Sequence, residues 1–139
     1  MKKHKETIAI LENKDIRPSQ IRIKIYEFIS KDKIHPTVDD IYNTLKESIP
    51  TLSKTTVYNT LNLFKEKNLI KSLNLNDNTM RYELNRSLHA HFKCNNCTAI
   101  YDIPATLKLN MPDDLKDATI EGENIIVTGT CPDCLKNNK

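Results

Sequence analysis

The stretch TLSKTTVYNTLNLFKEKNLI, residues 51–70, decides how the first part of the chain is read. Ser53 stands where a helix N-cap belongs, and Val57, Leu61 and Phe64 follow at helical spacing as one inward stripe. The outward stripe is Lys54, Thr55, Tyr58, Asn59 and Asn62, where a merely solvated helix would normally carry Glu and Lys. Thr and Asn are poor helix formers, so something other than helix stability has room to act there. Asn can bond an adenine edge in bidentate fashion, Thr can touch a thymine methyl, and Lys54 can reach a phosphate. A polar, weakly helical surface with no ligand explains the same residues.

Upstream, HPTVDDIYNTLKESI (35–49) offers Thr37 as N-cap and Asp40 as the acid of a capping box. Val38, Ile41, Tyr42, Leu45 and Ile49 form its buried stripe. RPSQIRIKIYEFISKD (17–32) offers Ser19 as cap and Ile21, Ile25, Phe28 and Ile29 on one face. The Ile21, Ile23, Ile25 alternation also allows a strand there. A further helix is expected over residues 4–13. Downstream, LIKSLNL (69–75) and MRYEL (80–84) read as strands around a polar turn, NDNT (76–79). Three helices and then a two-stranded ribbon is the order of a winged helix-turn-helix, in which the third helix enters the major groove. Other small α+β domains share that order.

From about residue 88 the pattern changes. AHFKC (90–94), AIYDI (99–103), ATIEG (118–122) and NIIVTGT (124–130) read as short strands, with a weak helix within PATLKLNMPDDLKD (104–117) and a frayed end, LKNNK. The 139 residues therefore divide into residues 1–84 and 85–139. Halves this small have thin cores, and a metal or a partner subunit would help hold them. Residues 1–84 carry 15 Lys/Arg against 11 Asp/Glu, and residues 85–139 carry 6 against 7. The basic excess in the first part suits a polyanion partner, although a solvated lysine surface accounts for it equally. There is no apolar run of about 18 residues to span a membrane. The N-terminal MKKHKETIAILENKD lacks the apolar core of a secretory leader, so the cytoplasm is the expected compartment and metal ligation the expected use of the cysteines.

Cys94-x-x-Cys97 and Cys131-x-x-Cys134, 33 residues apart, are the strongest signal in the chain. Each C-x-x-C turns two sulfurs toward one ion, and two such turns complete a tetrahedral thiolate shell. Four thiolates with no open position describe a structural zinc rather than a catalytic one. Tetrathiolate geometry also admits iron.

If the cysteines fill one ion, HAHFKCNNC (89–97) leaves His89 and His91 over. Two apart on a strand, they point to the same face and can converge on a second ion. His35, Glu83 and Asp102 are candidate further donors. Three imidazoles and two carboxylates would suit Fe²⁺, Mn²⁺ or Zn²⁺. In isolation His35 also reads as a helix-entry residue, and His-x-His occurs without metal. His4 reads as a surface residue. An enzyme is the rival class, but the zinc-deaminase signature, His-x-Glu with Pro-Cys-x-x-Cys, fails in both halves. A metallohydrolase wants an open zinc and a general base, which a closed cysteine site does not give. A zinc-ribbon interaction module leaves the first 84 residues unexplained.

HPTVDDIYNTLKESIPTLSKTTVYNTLNLFKEKNLI, RYEL, HAHFKCNNC, IYDI and CPDC together carry a resemblance, over nearly the whole chain, to the ferric-uptake-regulator family of metal-dependent bacterial transcription regulators. The resemblance implies an α+β chain: an N-terminal winged helix-turn-helix, then a small α/β dimerisation domain with a four-cysteine zinc. It implies a regulatory ion at the hinge, with His35, Glu83, His89, His91 and Asp102 on the ligand positions. It further implies a repressor, not an enzyme, acting as a homodimer on double-stranded DNA, for which a palindromic AT-rich operator is expected. The outward stripe of 54–62 falls on the DNA-reading helix. RPSQIR departs from the family's usual Thr-Pro-Gln-Arg, although Arg22 still matches. Asp102 is typical of peroxide-responsive members and Glu83 of iron-uptake members. The segment just before CPDC holds no histidine, which favours the peroxide branch with an Fe²⁺- or Mn²⁺-loaded site. There the resemblance implies oxidation of His35 or His89 and release of DNA; the alternative is an iron-uptake or other metal-sensing repressor.

Overall fold

A computed structural model describes residues 2–31, 35–74, 79–85, 89–104, 110–120 and 123–137, and the backbone alone of residues 2, 3 and 89. The chain is mixed α+β and divides into two compact units, residues 1–85 and 86–139.

Among the described residues the first unit carries four helices, α1 (Lys2–Asn13), α2 (Gln20–Ile29), α3 (Val38–Leu45) and α4 (Lys54–Glu66), and an antiparallel pair, β1 (Ile70–Asn74) and β2 (Met80–Leu84). Local chemistry sets the helix starts. Ser19, Thr37 and Ser53 each accept a hydrogen bond from the backbone N–H three residues on, and Asp40 returns one to the Thr37 N–H, closing the capping box. The strand alternative at 21–25 gives way to helix α2, in which Ile25 and Ile29 are buried while Ile21 and Ile23 remain partly covered.

Two helices end on left-handed residues that are not glycine, Asp15 and Asn68, both at φ 61°. Each closes a Schellman motif: Ile16 N–H to Leu11 O and Asp15 N–H to Glu12 O, then Leu69 N–H to Phe64 O and Asn68 N–H to Lys65 O. The buried pairs Leu11–Ile16 and Phe64–Leu69 take the hydrophobic positions of those motifs, so chain reversal and core packing coincide. Val57, Leu61 and Phe64 are fully buried and join Ile25, Ile29, Ile41 and Ile70 in one core. The NDNT turn falls largely outside the described residues.

The second unit is a three-stranded sheet in the order β4 (Ile100–Pro104), β3 (His89–Cys94), β5 (Ile126–Gly129), with β4 antiparallel and β5 parallel to β3. A short helix, α5 (Pro132–Asn137), follows. Register places Tyr101, Phe92 and Val127 in one row on one face, and His91, Asp102 and Ile126 in a row on the other. Three expectations are corrected here. Residues 118–120 form no strand: Ile120, the only large apolar residue of ATIEG, is half exposed and offers no buried face to pair on. The weak helix is a single 3₁₀ turn, Asp113–Leu115, entered from Pro112, and residues 105–109 lie outside the described residues. Leu135, Lys136 and Asn137 are helical rather than frayed, because Pro132 at the first helical position presets the turn and Leu135 N–H bonds Cys131 O. Among the described residues no helix is long and apolar enough to cross a membrane.

Candidate metal centres and nucleic-acid face

Parallel pairing of β5 with β3 sets Gly129 opposite Cys94, so Cys131 arrives beside the first C-x-x-C turn. The four sulfurs lie within 4.8 Å of one another, with Cys94–Cys134 and Cys97–Cys131 each at 3.7 Å. A disulfide needs about 2.05 Å. Two thiolates bound to one zinc at about 2.3 Å in a tetrahedron stand about 3.8 Å apart, which is the spacing found. Backbone N–H groups of Asn96 and Cys131 donate to Cys94 Sγ, and that of Ala99 to Cys97 Sγ. The bonds to Cys94 Sγ, the one from Cys131 foremost, hold that thiol down at about 6. Cys134 is pushed up to about 12, chiefly by its hydrogen bonds with Cys131 and Cys97 and then by burial. Several negative charges cannot gather there without a cation, and the donor set fits a closed zinc site.

Imidazole–carboxylate pairs form a second theme. In the first unit His35 Nε2 lies 3.5 Å from Glu83 Oε2, both side chains buried. They are 48 positions apart and meet because β2 ties the turn before α3: Tyr82 N–H donates to Pro36 O and the Arg81 guanidinium to His35 O. In the second unit His91 and Asp102 face each other across β3 and β4, with Nε2 3.5 Å from Oδ1. A strong N–H···O bond spans roughly 2.7–3.2 Å. Two ligands held about 2.1 Å from one ion stand roughly 3.0–3.5 Å apart, so each pair is spaced as a half-shell for a cation. The backbone of His89 belongs to β3; its side chain lies outside the described residues.

On α4, Lys54, Thr55, Tyr58, Asn59 and Asn62 are all exposed. Lys54 Nζ lies 3.0 Å from Asp39 Oδ1 on α3, and the Asp39 carboxylate raises the lysine above its ordinary value. Asn59 and Thr56 line a cleft of about 600 Å³ together with Arg17, Ser19 and Arg22, so two guanidinium groups border the outward face of α4. Arg22 is fixed by donating to Arg17 O at 2.8 Å. His4, an exposed residue as expected, does have a partner: its Nδ1 lies 2.8 Å from Glu27 Oε2.

Sequence reasoning missed three participants. Asp39 stood hidden among the acids of an α3 capping box. Lys71 stands opposite Glu83 across the β1–β2 pair, a register the polar turn did not announce. Arg17 opens RPSQIR, a stretch in which Arg22 alone had been singled out.

Residues 13–123 match the ferric uptake regulator family. The peroxide operon regulator of Bacillus subtilis (strain 168) is 31% identical over 135 residues, spanning 95% of this chain and 93% of its own. The ferric uptake regulator Fur of Helicobacter pylori, described as having three functional metal binding sites, superposes with a TM-score of 0.68 over 96% of this chain and 92% of that one, a likeness of fold at 16% identity. PerR from Streptococcus pyogenes, 26% identical, superposes with a TM-score of 0.53 over 94% and 92% of the two chains.

Proposed function

The chain belongs to the ferric uptake regulator family, metal-dependent transcriptional regulators rather than enzymes, and from that premise we propose that it is a DNA-binding repressor that senses peroxide through an exchangeable metal site. The observation that carries this reading is a pair of His–carboxylate couples, each spaced for a common ion: His35–Glu83, both buried, in one unit, and His91–Asp102, a buried imidazole facing an exposed carboxylate, in the other. We assign both couples, with His89, to one regulatory ion, Fe²⁺ or Mn²⁺. The cysteine quartet is assigned to a structural Zn²⁺.

Residues from both units on one ion would make ion occupancy and the attitude of α4 linked free energies. Lys54, Thr55, Tyr58, Asn59 and Asn62, with Arg22 flanking, are the residues proposed to meet double-stranded DNA, a palindromic AT-rich operator. A homodimer is supported by the Tyr101–Phe92–Val127 row, whose outer members are 43% and 44% exposed on an apolar sheet face.

The peroxide reading is supported by Asp102, by the absence of histidine just before CPDC, and by the peroxide operon regulator among the relatives. Bound iron would supply the redox chemistry. His35 or His89 would accept one oxygen atom from peroxide, the other leaving as water, and an oxidised imidazole is a poorer ligand. Glu83 favours the second reading, an iron-sensing repressor without self-oxidation.

Binding of a palindromic AT-rich duplex, measured with Fe²⁺ and with Mn²⁺ before and after peroxide, tests both. Metal should tighten binding. Peroxide should abolish it only in the iron-loaded protein, with one added oxygen on the His35 or His89 peptide by mass spectrometry. Metal dependence that survives peroxide selects the iron-sensing reading, and equal affinity with and without metal ends both.

A further inference from the structure

Glu83 has two oxygens with two different neighbours. Oε2 lies 3.5 Å from His35 Nε2, and Oε1 lies 3.3 Å from the Lys71 ammonium. The second contact is built into the fold, because Lys71 and Glu83 are cross-strand partners in the β1–β2 pair. The environment makes that contact matter. The Glu83 side chain is 7% exposed and that of Lys71 27%, so water screens the pair far less than it would a surface pair.

A buried carboxylate needs a compensating positive charge. Without the ion, Lys71 supplies it from a fixed position. With the ion bound, ammonium and metal share one carboxylate and repel each other. Lys71 therefore favours the empty site, because its fixed charge opposes the one that would arrive. It acts through Glu83 and touches no ion itself, which makes it a positioning residue.

We propose that Lys71 is a built-in competitor of the regulatory ion, weakening the site so that the ion stays exchangeable. This rests on the assignment of Glu83 to that site. The cationic character of residue 71, rather than its bulk, is the operative property.

Calorimetric titration of Mn²⁺ into the zinc-loaded full-length protein tests it, comparing wild type with Lys71→Met, Lys71→Gln and Lys71→Arg at one pH and ionic strength. Lys71→Met and Lys71→Gln should bind Mn²⁺ about five-fold tighter, and Lys71→Arg should stay within about two-fold of wild type. The metal-free Lys71→Met protein should also melt lower than metal-free wild type, with the gap closing at saturating Mn²⁺, because a ligand that binds the variant more tightly stabilises it more. Unchanged or weaker Mn²⁺ binding in the neutral variants overturns the proposal, as does equal tightening in Lys71→Arg. If none of the four proteins binds Mn²⁺ beyond its zinc, the assignment of the regulatory site fails instead. Unaltered zinc content shows that the second unit is intact in each variant.

Discussion

Lys54, the first residue of α4, is held 3.0 Å from Asp39 in the first turn of α3. Both side chains are more than half exposed, so the pair adds little to stability, but it sets a carboxylate where a DNA phosphate would approach the same ammonium. Asp39→Asn should tighten binding of the operator duplex about two- to five-fold at moderate salt. Lys54→Ala should weaken it and reduce the salt dependence of log K by about one. Fluorescence anisotropy across a salt series measures both, and an unchanged affinity in Asp39→Asn would remove the competition.

His91→Ala should cost more than about ten-fold in Mn²⁺ affinity and remove the stimulation of DNA binding by metal, while zinc content stays at wild-type level. Calorimetry, a gel-shift assay and elemental analysis on one preparation separate the two metals. Loss of zinc in this variant would contradict the assignment of the imidazole to a different ion.

Cys131→Ser should abolish zinc retention and unfold the second unit, since a tetrathiolate zinc contributes on the order of 10 kcal/mol to a small domain. Proton release should accompany zinc binding. With Cys94 down at about 6, its thiol is already largely ionised at pH 7 and releases little. Cys97, which the Ala99 N–H bond lowers but the Cys94 hydrogen bond and burial raise on balance, and Cys134, up at about 12, must each give up a proton. Zinc affinity should therefore fall as pH falls. Titrations in buffers of different ionisation enthalpy should report about two protons from this pair at pH 7. No release would contradict ligation by those two thiols.

The helix ends permit a stability test free of metal. Asp15 adopts a left-handed backbone that glycine takes without steric cost, so Asp15→Gly should stabilise the first unit by about 0.5 kcal/mol. Thr37→Ala removes one arm of the capping box and should destabilise it by about 1 kcal/mol. Denaturant melts of the full chain would show both. A loss of stability in Asp15→Gly would mean that the aspartate side chain contributes more than its backbone strain costs.

Features legible in residue order alone lie within a helical turn or a knuckle. Ser19, Thr37, Ser53 and Asp40 announce their caps because each side chain reaches a backbone N–H only three residues away. The buried stripe of Val57, Leu61 and Phe64 follows from helical period, and each C-x-x-C reads as half a metal shell because two intervening residues suffice to aim two sulfurs together. Residues 118–120 form no strand because a single half-exposed Ile120 gives them no apolar face, and residues 135–137 are helical because Pro132, unread in the sequence, starts a turn there.

Tertiary structure alone decided which distant groups meet. His35 reaches Glu83, and Lys71 flanks it, because β2 pairs with β1 and ties down the turn before α3. Asp102 faces His91, and Cys131 meets Cys94, through strand registers that a shift of one residue would turn to the opposite face. Periodicity tells a residue which way to point, but not what will be opposite. That depends on closing tens of residues of chain, and only the packed core and the sheet register settle it.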